Sequence, residues 1–305
     1  MKKQIFIDTD MGSDCDDVAA VAILSHFNHL NRVEILGITH TCANLRAAEY
    51  LNMVCRFYHF DTEFLASAET GKGVGILHED FLNKVLDGFH CQKTLLGLHA
   101  VQLMRKQLAK AKNATVLCIG PLNNMSNFLN SPPDEFSTLT GREMLEQNVS
   151  EVVVMGGIFN NKRYDFYGEE FEKEYNICLD VQAAQNFISN CPCPITFVEF
   201  ELGYQVKTFS KTVASEKETP IKRAYTLFGV KDRESWDVVA AIYSIFGENG
   251  YYRMSNSGEC TVADDGKTVF TEKIDGKHRY LIENKNKTDI IKYIDEIEEQ
   301  LHKGL

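Results

Sequence analysis

The stretch that decides the fold stands at the start of the chain, where Gln4-Ile-Phe-Ile7 runs directly into Asp8-Thr-Asp10-Met-Gly-Ser-Asp14-Cys-Asp16-Asp17. The apolar run at 4–7 predicts a strand buried on both faces, and residues 17–30 follow with apolar side chains at helical spacing. Five carboxylates lie between residues 8 and 17, at the junction of strand and helix. Crowded carboxylates repel one another, so the cluster destabilises the fold unless a cation offsets it. Capping of the helix by Asp14 or Asp16 accounts for one or two of the acids, not for five. Hard divalent cations require such oxygen donors, and no His/Cys set has zinc spacing, so the donors point to Ca²⁺ or Mg²⁺.

The same alternation continues outward from this unit. Strands are predicted at 33–39, 63–66, 115–119, 151–155 and 195–198, and helices at 45–58, 93–110, 123–129 and 180–189. Apolar strands alternating with helices predict an α/β fold, a mostly parallel sheet with helices on both faces. After residue 245 the texture changes. Short β-like runs at 251–254, 259–262, 268–270 and 278–282 are joined by DDGK and DGK turns, predicting a small antiparallel hairpin region closed by a helix at 288–301. With six prolines and no linker, the expectation is a single domain over 1–305, with its core at about 4–245 and a C-terminal subregion at 246–305. Two long connections, 67–92 and 156–175, are expected to serve the site. GKGVG at 71–75 lacks the spacing of a nucleotide phosphate loop.

Composition narrows the function. The 305 residues carry 32 Lys and Arg against 43 Asp and Glu, a net charge of −11, with 44% apolar and 25% charged residues. That balance is globular, and it argues against nucleic-acid or anionic-membrane partners, which require basic surfaces. No run reaches the roughly 18 to 20 apolar residues of a membrane span, and the N-terminus lacks the features of a secretory signal. Nine cysteines without a CxxC read as reduced core thiols of a cytoplasmic protein, with Cys191-Pro-Cys193 a weak hint of metal or redox chemistry.

Each predicted strand is followed by residues suited to a site at its carboxyl end. These are Thr41-Cys-Ala-Asn44, Gly120-Pro-Leu-Asn-Asn124, Gly156-Gly157 after Met155, Glu174-Tyr-Asn176, and Ser235-Trp-Asp237 opening an apolar helix. Singly, Asn44, Asp180 and Asp237 read equally well as helix caps and Glu174 as a solvated charge.

As an ordered set, the segments resemble the inosine-uridine nucleoside hydrolase family over about residues 4–245. The family's strand followed by DxDPGxDD is similar to Asp8 through Asp17, its GPLTN segment to Gly120–Asn124, its VVxMGG strand to 152–157, and its E-[FY]-N…D-P-E-A-A segment to Glu174–Asn176 with Asp180-Val-Gln-Ala-Ala. The resemblance implies a hydrolase that binds Ca²⁺ and cleaves the N-glycosidic bond of ribonucleosides. It implies Asp10 as metal ligand and general base, Asp17 and Asp237 as carboxylate ligands, and Asn123 as a ligand through its backbone carbonyl. It implies Asp16, Asn44, Glu174 and Asn176 as ribose partners, with Met155 and Asn160 also on the substrate. A homodimer or homotetramer is implied as well. The chemistry suits the residue types. The metal positions water and ribose together, Asp10 takes the water's proton, and acidic groups favour the positive charge that develops on the ribosyl ring.

Two departures from the family pattern matter. The opening motif holds two extra residues and Met11 in place of proline, so Asp14 competes with Asp16 for the ribose role. Trp236, the only tryptophan, precedes Asp237 where the inosine-uridine-preferring members have a histidine that protonates the leaving base and the purine-preferring members have tryptophan. A catalytic role for Trp236, stacking on the base, predicts that purine ribosides are favoured. Tyr164, Phe166, Tyr167 and Tyr225 are candidates for the other side of a base sandwich, Asn161 for a contact beside Asn160, and His40 and His78 for site-side groups with no assigned role. Two other readings stand beside this one. The first is a haloacid-dehalogenase-like Mg²⁺ phosphatase using Asp8, and the second a member of the fold that binds ribosides without turnover.

Overall fold

The computed structural model describes residues 2–74, 79–89, 97–160, 162–166 and 169–304. Seven strands form a parallel array in the order His278–Glu283, Ile195–Val198, Val149–Met155, Ala114–Ile119, Lys3–Thr9, Val33–His40, Leu65–Ser67. The strands Gly258–Val262 and Thr268–Glu272 extend the sheet antiparallel beyond His278–Glu283, and Tyr252–Met254 pairs antiparallel with that same strand. The chain winds from Lys3–Thr9 toward one edge and then returns to place Ala114–Ile119 on the other side of it. The gap between these two strands is the topological switch point, where open α/β sheets bind their ligands. Thr9 pairs with Ile119, so both strands end at the same level.

Side-chain alternation explains why both faces are covered. Ile5, Ile7, Leu117, Ile119 and Val153 belong to one apolar cluster, and Phe6, Val116, Cys118, Val152 and Val154 to the other. The first cluster is packed by the helices Asp16–His29, Leu45–Phe57 and Trp236–Phe246, the second by Ala100–Leu108, Asn123–Leu129 and Val181–Asn190. Asp16–His29 is buried from Asp16 through Phe27, and its alanines at 19, 20 and 22 allow close approach of Trp236–Phe246, which brings Ala240 and Ala241. The C-terminal helix Lys287–Gly304 covers the same side with a stripe of Ile290, Ile294, Ile297 and Leu301. Its buried Glu298 accepts hydrogen bonds from the backbone N–H (2.7 Å) and hydroxyl of Thr212.

The structure corrects several expectations. The antiparallel C-terminal hairpins form as expected, but their strand His278–Glu283 also lies parallel to Ile195–Val198 and so continues the main sheet. The helix expected over 93–110 is Ala100–Leu108, since Gly97 has φ +69° and His99 is already extended; residues 93–96 lie outside the described residues. The third strand is Leu65–Ser67 rather than 63–66. Both long connections carry structure of their own, the helix Glu79–Leu86 and the hairpin Tyr164–Phe166 with Glu169–Phe171. Helices Gly141–Asn148 and Pro220–Phe228 also form, and their caps were readable. Thr140 and Glu143 make a capping box, and Thr219 caps a helix with Pro220 in its first turn.

At the end of the second strand His40 is fully buried. The Cys42 backbone N–H donates to Nδ1 (3.0 Å), so the proton sits on Nε2 and is donated to the Met11 carbonyl (2.8 Å). Burial disfavours the imidazolium and lowers the pKa to about 4, against the opposing pull of the Met11 hydrogen bond. The unfolded chain therefore binds this proton first on acidification. The stabilisation from neutral His40 is complete above about pH 6.5 and is lost as pH falls toward 4, by about 3 kcal/mol. Denaturant unfolding of the protein and of His40→Gln across pH 7 to 4 is expected to show the stability difference between them shrinking by about that amount. A difference independent of pH would contradict the assignment.

Candidate active site

The first strand ends at Thr9, and the chain turns through Asp10–Cys15 before the helix begins at Asp16. The turn is fixed locally. Ser13 N–H donates to the Asp10 carbonyl (3.1 Å), and Met11 N–H to the Thr9 hydroxyl (3.2 Å). Thr9 in turn donates to Asp17 at 2.5 Å. A Cβ at Gly120 would lie 2.8 Å from the Asp10 backbone nitrogen, so the neighbouring strand end can approach this turn only as glycine. From the far side of the sheet order, the helix Trp236–Phe246 points its first turn at the same place, and the Asp237 N–H donates to Asp16 (3.1 Å).

Asp16, Asp17 and Asp237 are all buried and offer carboxylate oxygens within 4.8 Å of one another. None of the acids caps the first helix: its cap residue is Cys15, with no side-chain cap bond, and the Asp14 carboxylate instead accepts from the Cys15 N–H. Burial, reinforced by their mutual repulsion, raises Asp17 and Asp237 well above the carboxylate range. Burial likewise pushes Asp10 up to about 7 and Asp16 to about 8. A cluster held this way takes up either protons or a cation, and an all-oxygen, anionic donor set fits a hard divalent ion. Ca²⁺ and Mg²⁺ are both ions of that kind.

The cluster forms the floor of a cavity of about 370 Å³. Its wall includes Asp10, Asp14, Asp16, Asp17, Met155, Glu174, Asn176, Trp236 and Asp237 from the sequence reading. Glu174 is not a solvated charge. It is buried and caps Tyr175–Leu179 by accepting from the N–H groups of Asn176 (2.9 Å) and Ile177 (3.0 Å). Burial raises it to about 7 against those hydrogen bonds. Asn176 donates to the Met155 carbonyl (3.2 Å), tying the fifth strand's end to this short helix.

Other expected residues lie elsewhere. Asn44 caps Leu45–Phe57 by accepting from the Arg46 N–H (2.9 Å) and is not on the cavity wall. Asn160 is also off the wall, its amide donating to Tyr164 and Glu201. Asn123 is buried at the start of its helix, and its side chain donates to the carbonyls of Thr41 and Lys72, both at 3.0 Å. Tyr225 is fully buried beneath the site, and Tyr164 packs on Phe200 and Tyr204 instead of lining the cavity. His78, Asn161, Tyr167 and the side chain of Phe166 lie outside the described residues. Asp8 does not line the cavity and accepts from Thr39 (2.6 Å) and Asn124 (2.8 Å), so it is not placed to attack a phosphoryl group.

The aromatic wall was only partly foreseen. Trp236 stacks on Phe200 (5.2 Å between centroids, 29° between planes), and its Nε1–H donates to the Phe200 carbonyl (2.9 Å). A Cβ at Gly203 would lie 2.3 Å from the indole, so glycine there is what seats the ring. Phe171, Tyr175 and Phe228 complete this side. Arg233 was missed altogether. It donates to Asp14 through Nε (3.0 Å) and Nη2, and its guanidinium lies 5.1 Å from the Trp236 ring and 5.2 Å from Phe228. A two-residue strand pairing of Arg233–Glu234 with Lys207–Thr208 holds it there. The alternation Arg233, Ser235, Asp237 before an apolar helix was the available signal. Among the described residues, no histidine lines the cavity.

An inosine-uridine preferring nucleoside hydrolase from Bacillus anthracis superposes with a TM-score of 0.70 at 17% identity, covering 97% of this chain and 99% of that one. A plant nucleoside hydrolase gives 0.74 at 14% identity with the same coverage, and a protein described as an effector gives 0.61 at 13%, covering 91% of this chain and 89% of its own. At such identities these likenesses establish the fold alone. No match was found among curated protein sequences. The family described as inosine-uridine preferring nucleoside hydrolase matches residues 5–298, so the match takes in the C-terminal hairpins that the sequence reading had left outside. By that match over nearly its whole length, the chain belongs to the inosine-uridine preferring nucleoside hydrolase family of nucleoside N-ribohydrolases.

Proposed function

We propose that the protein is a Ca²⁺-dependent ribonucleoside hydrolase that favours purine ribosides. The observation that carries the metal requirement is the crowding of buried carboxylates on the cavity wall, where Asp17 and Asp237 come within 4.8 Å of each other and of Asp16, and Asp10 lines the same cavity. In this reading Asp10, Asp17, Asp237 and the Asn123 carbonyl hold the ion. Bound there, Ca²⁺ would supply positive charge to hold a water and the ribose hydroxyls. Asp10, on the cavity wall beside the cluster, takes the proton from that water as it attacks the anomeric carbon. Asp16, Glu174 and Asn176 bind the ribose hydroxyls, and their negative or acceptor oxygens favour the charge that develops on the ribosyl ring. Asp14 is engaged by Arg233, which leaves the ribose role to Asp16.

The base preference rests on Trp236. The indole lies on the cavity wall among Phe200, Phe171 and Phe228, and no described imidazole shares that wall to protonate a leaving base. Stacking on the larger ring system stabilises a purine more than a pyrimidine and eases its protonation. The family resemblance extends the proposal to a homodimer or homotetramer acting in the cytoplasm. No helix among the described residues is long and apolar enough to cross a membrane.

Ribose release from inosine, guanosine, adenosine and uridine, with and without a calcium chelator, tests the reading directly. Release that the chelator stops, that added Ca²⁺ restores and that is faster for purines is the expected result. Faster release from uridine would remove the Trp236 argument, and chelator-resistant release would remove the metal. Among variants, Asp10→Asn is expected to lower kcat by about 10²- to 10⁴-fold, the range of a lost general base. Asp16→Asn is expected to act mainly on KM for the riboside and Asp237→Asn on the Ca²⁺ concentration required. Trp236→Ala is expected to reduce the ratio of inosine to uridine turnover by about fivefold, matching about 1 kcal/mol of stacking.

A further inference from the structure

One motif remains outside the hydrolase site. Cys191-Pro192-Cys193 joins the helix Val181–Asn190 to the strand Ile195–Val198, on the opposite apolar cluster from the carboxylates. The two Sγ atoms are 3.4 Å apart and share a hydrogen bond, although both residues are buried. Cys191, but not Cys193, lines a second cavity of about 410 Å³, whose wall also carries Arg142, Lys277 and His278. The cations are anchored close to the motif. Arg142 donates to the Asn190 carbonyl (2.5 Å), and Lys277 Nζ to the Pro192 carbonyl (2.8 Å).

We propose that Cys191 and Cys193 form a peroxide-oxidisable dithiol, in which Cys191 is the attacking thiol facing the cavity and Cys193 the resolving thiol behind it. The charges are arranged for that division. The hydrogen bond from Cys193, helped by Lys277 and Arg142, lowers the pKa of Cys191 against its burial, whereas Cys193 is raised by the same bond and by burial. The substrate class is a small uncharged hydroperoxide, with hydrogen peroxide the simplest member. The Cys191 thiolate attacks one peroxide oxygen, the O–O bond breaks, and the departing hydroxide takes the thiol's proton and leaves as water. Cys193 then attacks the sulfenic sulfur of Cys191. The S–S bond forms, the S–O bond breaks, and the hydroxide leaves with the Cys193 proton as a second water. In sum, two thiols lose two electrons and one peroxide becomes two waters.

The test uses the full-length protein treated with graded hydrogen peroxide, quenched, and mapped by mass spectrometry. Cys178, which is exposed and raised in pKa by partial burial, serves as the internal reference. The expected result is a Cys191–Cys193 disulfide, a loss of two hydrogens from one peptide, formed at least about tenfold faster than oxidation of Cys178. Cys193→Ser is expected to leave a sulfenic acid on Cys191 that dimedone captures. Cys191→Ser is expected to abolish the reaction at Cys193, and Lys277→Met to slow the wild-type reaction about threefold. Oxidation of Cys178 ahead of the pair would overturn the proposal. So would a link from Cys191 to the nearby Cys118, or dimedone on Cys193 in the unsubstituted protein. The wild-type rates decide the matter even if a cysteine variant fails to fold.

Discussion

The rest of the structure depends on one electrostatic constraint, the burial of four carboxylates, Asp10, Asp16, Asp17 and Asp237, at the point where two strand ends and two helix starts converge. Like charges at these separations in a medium of low dielectric repel strongly. Repulsion alone would splay the elements apart. What holds them is the neutral frame around the acids. Thr9 donates to Asp17, the Asp237 backbone donates to Asp16, and the first helix is locked against Trp236–Phe246 by apolar contacts along its length. The fold is thus a clamp that forces the acids together, and the acids make the clamp selective for a cation.

Around this frame the charges are sorted by distance from the cluster. Asp14 is satisfied by Arg233 and Glu174 by backbone N–H groups, so neither depends on an ion at the cluster. The two apolar clusters on either face of the sheet separate this acidic chemistry from the sulfur pair at residues 191 and 193. A hard oxygen site and a soft sulfur pair coexist in one chain because a layer of close-packed aliphatic side chains lies between them.

Much of the architecture was legible in the sequence, for a physical reason. Strands such as 115–119 and 151–155 are apolar throughout because both faces are buried, and a pattern imposed by two layers of helices survives in the sequence alone. The acids of the first turn were legible because so many carboxylates have no ordinary structural use. The aromatic wall was not. Phe200, Phe171 and Phe228 come from three separate segments, and a buried phenylalanine has the same local pattern whether it lines a cavity or a core. Arg233 escaped for a similar reason, since its partner Asp14 is 219 residues away. The C-terminal hairpins were legible because antiparallel turn signals are local, whereas the parallel pairing of His278 with Ile195 that joins them to the sheet is not.

The helix Asp16–His29, buried on every side, also sets a timetable for the chain. It is synthesised more than 200 residues before part of its cover, the helix Trp236–Phe246, and before Lys287–Gly304, which follows that helix. Until those segments have emerged, the helix can pack on Val33–His40 and Leu45–Phe57, but the side that meets Trp236–Phe246 and Lys287–Gly304 stays uncovered, with a cluster of acids at its head. Contacts of such sequence separation are slow to form and leave sticky surface open meanwhile. Productive folding is therefore expected to be largely post-translational, and shielding of the N-terminal third by a chaperone should raise the yield of native protein more than stabilising any late element.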